Sequence, residues 1–361
     1  MKIKKKKVLI AAAAILSAAA LAVGGFAIYG NYQMSKIPGM SFRECLEYTT
    51  SGNRDAVITV GTIKQGEASW TVYGENGEIL PKELHTYEIG SLTKTFTAAL
   101  VNRAVREGRI SLDAGIDEYL ELTEKAHYPD IRSILTHTSG YSSYYLESPM
   151  IGNFFSGRNS FCGIGDSMIL DRLAKTDISD TEHGFDYSNF GYAALGLMLE
   201  KVYQTEFTTL MNSYLDELGL DNSHISDGSG DLDNYWDWTP GDTYMSAGAI
   251  TSDIEDMLLY MWLQLDGGEF TECQESLRSI DAASDSYKSM GINMDEIGMA
   301  WIIDRENGII WHNGGTGHYN SYAAFSPEKD CAVVILSNLP PDYRIPATVM
   351  GAKLMREITG E

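Results

Sequence analysis

Tyr87-Glu88-Ile89-Gly90-Ser91-Leu92-Thr93-Lys94-Thr95-Phe96-Thr97-Ala98 places a serine at the mouth of an expected helix and a lysine three residues later. On an α-helix those side chains share one face, about one turn apart. The first turn carries unpaired N–H groups and the positive end of the helix dipole, which stabilise developing negative charge. A serine hydroxyl becomes a useful nucleophile only with a base in hydrogen-bond reach. A lysine serves as that base when desolvation or a neighbouring cation keeps it neutral. A lone S-x-x-K is common by chance, so its meaning depends on the rest of the chain.

Around this stretch the chain alternates in a readable way. Phe42, Cys45 and Leu46 fit one face of a short helix. Ala56–Ile63 and Ala68–Tyr73 are β-rich runs joined by the hairpin signal Lys64-Gln65-Gly66-Glu67. Thr86–Ile89 reads as a short extended piece leading into Ser91. Phe96, Leu100, Val101 and Val105 then recur at helical spacing until Gly108. Residues 110 to 295 read mostly as helix and loop, with helices at Ile131–Leu135, Ser167–Ala174, Tyr192–Tyr203, Phe207–Leu218 and Asp253–Leu265. Strand patterning returns at Ile297–Asp304, Ile309–Asn313, Tyr319–Phe325 and Cys331–Ser337, before a last helix over Arg344–Ile358. Strands at both ends with helices between predict an α/β (α+β) fold. One antiparallel sheet is built from the N- and C-terminal strands and flanked by helices, with a mainly helical lobe inserted. The expected boundaries are a sheet lobe over 35–98 and 297–361 and a helical lobe over 99–296.

The chain has 361 residues and a net charge of −23. The first 30 residues hold five lysines and no acid, so the remainder sets 22 basic against 50 acidic residues, a charge of −28. Such a body repels polyanions, and no nucleic-acid partner is expected. Lys2, Lys4, Lys5, Lys6 and Lys7 precede an apolar run, Val8–Tyr29, interrupted only by Ser17, Gly24 and Gly25. Its 22 residues suffice to cross a bilayer as a helix. The lysines orient the body outward. Residues 1–34 are therefore expected to be a basic tail and membrane anchor. The competing expectation is a signal peptide cleaved after Ala20-Leu21-Ala22, and either way the body 35–361 is exported. Cys45, Cys162, Cys273 and Cys331 are scattered without metal-binding spacing and are expected as buried thiols, although export permits disulfides. No H-x-x-x-H or H-x-H pair occurs, which disfavours zinc, and no cofactor is expected. No G-x-S-x-G occurs, so a Ser-His-Asp hydrolase elbow is unsupported. The Asp227, Ser229, Asp231, Asp233 series fails as a calcium loop, because Leu232 and Trp238 stand where glycine and glutamate are needed.

Three further stretches give Ser91 and Lys94 company. Asp186-Tyr187-Ser188-Asn189-Phe190 sits at a helix entry, where a phenol and an amide two residues apart can face one spot. Trp311-His312-Asn313-Gly314-Gly315-Thr316-Gly317 ends a strand, with glycines that let a substrate lie along its edge. Ile134-Leu135-Thr136-His137-Thr138-Ser139-Gly140-Tyr141 is a polar run closing an apolar segment. His137 reads as a structural histidine beside the site.

The order S-x-x-K, Y-x-N, H-x-G resembles the serine β-lactamase and penicillin-binding D-Ala-D-Ala peptidase superfamily, most of all its class C branch with carboxypeptidase, D-aminopeptidase and esterase relatives. The Ile134–Tyr141 and Ser246–Asp253 regions resemble further hallmarks, and the likeness spans residues 40 to 360. It implies an acyl-enzyme hydrolase acting on a small-molecule or peptide substrate such as a cell-wall peptide or β-lactam; the alternatives are an esterase or D-aminopeptidase on the same scaffold, or a penicillin-binding sensor that deacylates slowly. Ser91 would be the nucleophile and Lys94 its base. Tyr187, as phenolate or through Lys94, would share the base role and protonate the leaving group. Asn189 would position Lys94 and the substrate. His312 would supply a donor or a positive charge. The N–H groups of Ser91 and Gly315 would hold the oxyanion, while Asn313, Gly314 and Thr316 would bind substrate. Histidine replaces the usual lysine of the third motif, which weakens its permanent charge. His318 reads as a surface turn residue. Tyr141, Tyr144, Tyr145, Trp236, Trp238 and Tyr244 are candidates for either core packing or a cleft lining.

Overall fold

The computed structural model describes residues 35–360. The expected anchor or signal segment, 1–34, lies outside the described residues. Among the described residues no helix is long and apolar enough to cross a membrane. Residues 42–360 form one compact unit.

The strands are β1 (Ile58–Lys64), β2 (Glu67–Tyr73), β3 (Tyr87–Glu88), β4 (His224–Ile225), β5 (Ile250–Ser252), β6 (Arg278–Ser279), β7 (Glu296–Ile297), β8 (Ile302–Asp304), β9 (Ile309–Gly315), β10 (Asn320–Ser326) and β11 (Cys331–Ser337). The helices are α1 (Phe42–Thr50), α2 (Thr93–Arg106), α3 (Ile131–Leu135), α4 (Ser148–Ser156), α5 (Asp166–Lys175), α6 (Asn189–Tyr203), α7 (Phe207–Glu217), α8 (Met245–Gly248), α9 (Ile254–Asp266), α10 (Thr271–Gln274), α11 (Asp285–Ser289) and α12 (Ala347–Thr359).

An eight-stranded sheet runs in the order β2-β1-β11-β10-β9-β8-β7-β6, so strands from both ends of the chain meet at β1 and β11. Ile58 pairs with Ser337 and Lys64 with Cys331, antiparallel. The predicted hairpin forms: Gln65 and Gly66 take φ of 51° and 76°, the left-handed pair that a two-residue turn between twisted strands requires. β11 is buried along its whole length because helices cover both sheet faces. α12 packs on β10 and β11, and α9 packs on β1, β10 and β11. At Gly61 a Cβ would stand 2.8 Å from Ile254 Cδ1, so the missing side chain sets how closely α9 approaches.

The structure corrects the expected sheet in three places. Ile297–Asp304 is not one strand, because the chain reverses so that Ile297 pairs with Ile302. Ala300 takes a φ of 69° at that reversal and Trp301 is fully buried, so a continuous apolar pattern concealed a tight turn. The sheet also reaches beyond the expected 297–361 boundary, since β6 at Arg278–Ser279 extends its edge. Tyr87–Glu88 joins a separate three-stranded sheet, β3-β5-β4, beside the helices. The last helix starts at Ala347 rather than Arg344, after Pro346, which holds an extended ψ of 160°. All four cysteines are buried as reduced thiols.

Candidate active site

Ser91 sits in a short 3-10 turn, Gly90–Leu92, that feeds α2. The α-helix itself begins two residues later than Ser91, at Thr93. Gly90 makes this possible with a φ of +53°, and a Cβ there would meet the Gly315 nitrogen at 2.5 Å. The turn is therefore pressed against the end of β9. Residues 309–311 of β9 pair with β8, whereas 312–315 pair only with β10, so the open strand edge begins where the turn docks. Ser321 Oγ donates to the Ile89 carbonyl at 2.7 Å and pins the turn from β10.

Lys94 is fully buried. Its Nζ lies 3.0 Å from Ser91 Oγ, 2.7 Å from Asn189 Oδ1 and 2.6 Å from the Ala247 carbonyl. Burial holds its pKa well below the usual lysine value, with no carboxylate to oppose the effect. An amide oxygen and a carbonyl can only accept, so they take two N–H bonds. In the neutral amine the remaining lone pair then faces Ser91 Oγ. That arrangement receives a proton from serine.

Tyr187, Ser188 and Asn189 enter the site at the start of α6. Ser188 caps the helix, accepting from Gly191 N at 2.9 Å, and donates to the Ser142 carbonyl at 2.8 Å. His137 sits behind this loop with a φ of 56°, and its Nδ1 accepts from Ser188 N at 3.0 Å. Its ring lies 4.4 Å from the Tyr187 ring, centroid to centroid. Burial, with Lys94 and His312 nearby, lowers the His137 pKa well below its ordinary value. The ring is neutral and orders the Tyr187–Asn189 loop, as expected of a structural residue.

Tyr187 keeps an exposed edge, but burial of its surroundings raises the phenol's pKa, opposed by a hydrogen bond with Ser91. A phenol raised from 10 stays protonated near neutral pH, which argues against Tyr187 as a free phenolate. His312 is buried, and burial, aided by Lys94, pulls its pKa down to about 3. Its Nδ1 is 2.6 Å from the Asn313 carbonyl and must donate to it. Nε2 of the neutral ring then carries a lone pair. The expectation that His312 supplies a donor or a positive charge is therefore corrected: the unliganded ring presents an acceptor. Its centroid is 6.3 Å from that of Tyr187.

Ser91, Lys94, Tyr187, Asn189, His312 and Gly315 thus converge, but the substrate-binding trio divides. Gly314 is buried against the Ile89 carbonyl, where a Cβ would collide. Asn313 is exposed, on the opposite side of β9 from His312, as strand alternation dictates. Thr316 is buried, and its hydroxyl donates to Glu88 Oε2 at 2.6 Å. His318 is exposed, and Tyr141 and Tyr244 belong to the core. A cavity of about 760 Å³ between α6, α7 and the 224–245 segment contains none of these side chains.

Two participants were missed from the sequence. The Ala247 carbonyl offers no side-chain signal, although it lies within the Ser246–Asp253 stretch that resembles a family hallmark. Glu88 lies three residues before Ser91 and ties Thr316 to the Trp236 N–H, which it accepts at 2.7 Å.

A family model described as Beta-lactamase matches residues 36–349. The fimbrial assembly protein FimD, serogroup H1, of Dichelobacter nodosus is a probable assignment by its own description, and it is 29% identical over 187 residues, half of this chain and 45% of that protein. Protein flp of Staphylococcus aureus strain MRSA252 is 21% identical over 71% of this chain and 53% of its own length. The chain spans about half the length of these curated relatives. Among solved structures, the octameric penicillin-binding protein homologue from Pyrococcus abyssi superposes with a TM-score of 0.68 at 20% identity, covering 94% of this chain and 78% of its own. The β-lactamase/D-alanine carboxypeptidase from Yersinia pestis gives 0.68 at 16% identity, covering 92% of this chain and 99% of its own. These likenesses show the same fold.

Proposed function

We propose, for a chain that belongs to the beta-lactamase family of serine hydrolases, that Ser91 forms an acyl-enzyme with an amide or peptide substrate of the D-Ala-D-Ala carboxypeptidase or β-lactam type. The observation that carries this reading is the Lys94 amine. It is buried, committed to two acceptors, and 3.0 Å from the serine it would deprotonate.

Ser91 Oγ attacks the carbonyl carbon while its proton passes to Lys94 Nζ. The displaced π pair collects on the carbonyl oxygen, which the N–H groups of Ser91 and Gly315 receive. Collapse breaks the bond to the leaving group, to which the Tyr187 phenol gives its proton and is resupplied from Lys94. Water then repeats the sequence on the ester. Asn189 orients the amine. His312 accepts a hydrogen bond from substrate or from Tyr187.

The lysines before Val8–Tyr29 support single-pass tethering at the cell membrane with residues 35–361 outside, or secretion after cleavage. Substrate recognition then belongs to an extracytoplasmic body, which we read as a sheet lobe (35–98 and 297–361) with a helical insertion (99–296).

Release of D-alanine from an N-acylated D-Ala-D-Ala peptide, by the protein and by Ser91→Ala, tests the assignment. Release that needs Ser91 is expected, and release that survives its loss overturns it. A second reading, an esterase on the same residues, is favoured by the neutral His312, which offers no charge to a substrate carboxylate. Ester turnover through Ser91 without D-alanine release would select it.

A further inference from the structure

A concave apolar surface of about 410 Å³ is formed by Met150, Ile151, Phe154 and Phe155 of α4 together with Phe161 and Trp236. Phe155 is 82% and Ile151 52% exposed, so an isolated chain leaves large apolar side chains in water. Contiguous exposure of this kind marks a binding surface rather than ordinary packing. Its volume falls within the range of small-molecule pockets.

Two connections join the groove to the Ser91 site and the end of β9 beside it. On one side Tyr144, which also lines it, follows Ser143, whose Oγ is 3.4 Å from Asn189 Nδ2. On the other, Trp236 lies over Gly317, where a Cβ would stand 2.6 Å from the indole nitrogen. The Trp236 backbone N–H is held by Glu88, the same carboxylate that accepts from Thr316. One end therefore rests on a residue that contacts Asn189, and the other on Gly317 and Glu88, beside the Thr316 end of β9. Phe161 stiffens the floor, stacked on Tyr244 at 4.3 Å and edge-on to Trp236 at 6.3 Å.

We propose that this groove is a substrate subsite that takes a long alkyl or aryl group attached to the scissile ester or amide. The substrates of Ser91 are accordingly amphiphilic acyl compounds, with the reacting carbonyl at the serine and an apolar tail along α4. The assignment rests on Ser91 being the nucleophile. The groove lining carries no charged side chain, which suits an uncharged tail, and the acidic body around it disfavours an anionic one. Neutral His312 agrees, since it supplies no charge to hold a carboxylate.

The test compares kcat/KM for p-nitrophenyl acetate, butyrate and octanoate, and for alkyl acetates from methyl to octyl. The protein, Ser91→Ala and the double variant Ile151→Ser, Phe155→Ser are assayed, with a melting temperature confirming that the double variant is folded. Burying each CH₂ is worth about fourfold, so three buried groups raise kcat/KM about 60-fold along one series. The expected result is such a rise in either series, dependent on Ser91 and reduced at least about tenfold in the double variant. Ser91-dependent turnover that is flat with chain length in both series overturns the subsite and leaves the nucleophile standing. Turnover indifferent to Ser91→Ala overturns the nucleophile and the subsite with it, whereas absence of turnover with every ester overturns the subsite alone and leaves the nucleophile to the D-alanine release assay. A chain-length preference unchanged in the double variant, with dimer-to-monomer conversion in sedimentation, would assign the groove to self-association and overturn the proposal.

Discussion

Replacing Glu88 with glutamine should change how the stability of this protein depends on pH. Glu88 is 2% exposed, with one oxygen on the Trp236 N–H and the other on the Thr316 hydroxyl. Burial, only partly offset by those two hydrogen bonds, pushes its pKa up from 4.5 to about 7. Below the unfolded value both states hold the proton and the carboxyl costs nothing in charge burial. Between the two values the folded chain keeps a proton that the unfolded chain has released, so stability falls as pH rises. Above the folded value the whole cost is in place, about 3 kcal/mol for this separation. Glutamine is nearly isosteric, can accept from Trp236 and donate to Thr316, and carries no proton equilibrium. Urea unfolding of both proteins from about pH 4.5 to about 8 should therefore give a stability difference, variant minus native, that grows by about 3 kcal/mol. Other buried carboxyls with raised pKa values, such as Asp253 and Asp256, are present in both proteins and cancel. Parallel stability curves over that range would refute the reasoning.

Gly90→Ala should lower kcat by about 10²–10³-fold through displaced oxyanion donors, and lower stability by about 1–3 kcal/mol. It meets Gly315 N at 2.5 Å from a left-handed backbone, and steady-state kinetics with a thermal melt will read both effects. Asn189→Ala removes a carbonyl that favours the charged form of Lys94, so the acid limb of the kcat/KM profile should move to lower pH as the rate falls. His312→Gln should leave the shape of that profile unchanged between about pH 5 and 8, because the native ring is already neutral there. A limb that vanishes with His312 would contradict the neutral assignment.

What the sequence made legible is what local chemistry encodes. The Ser91–Lys94 spacing, the Lys64–Glu67 hairpin and the two-apart Tyr187 and Asn189 each follow from rules acting within a few residues. Their convergence is legible only through the ordered resemblance, since nothing local brings residues 91, 189 and 312 together. Features that depend on three-dimensional surroundings stayed hidden. The third Lys94 contact is a backbone oxygen 153 positions away. The state of His312 follows from burial and from a carbonyl next to it, which no motif states. The broken strand at Gly298–Trp301 looked continuous because a turn stabilised by burying Trp301 keeps the apolar content of a strand. Glu88 read as one more strand residue, although it bridges Thr316 and the Trp236 loop.

The central claim is a covalent intermediate on Ser91 formed with Lys94 as base. Intact-mass spectrometry after acid quench measures it most directly, using the protein, Ser91→Ala and Lys94→Met incubated with a fluorescent penicillin or p-nitrophenyl acetate. The account predicts a single acyl adduct that maps to the Ser91 peptide in the native protein and is lost in both variants. Equal labelling of Ser91→Ala would contradict it.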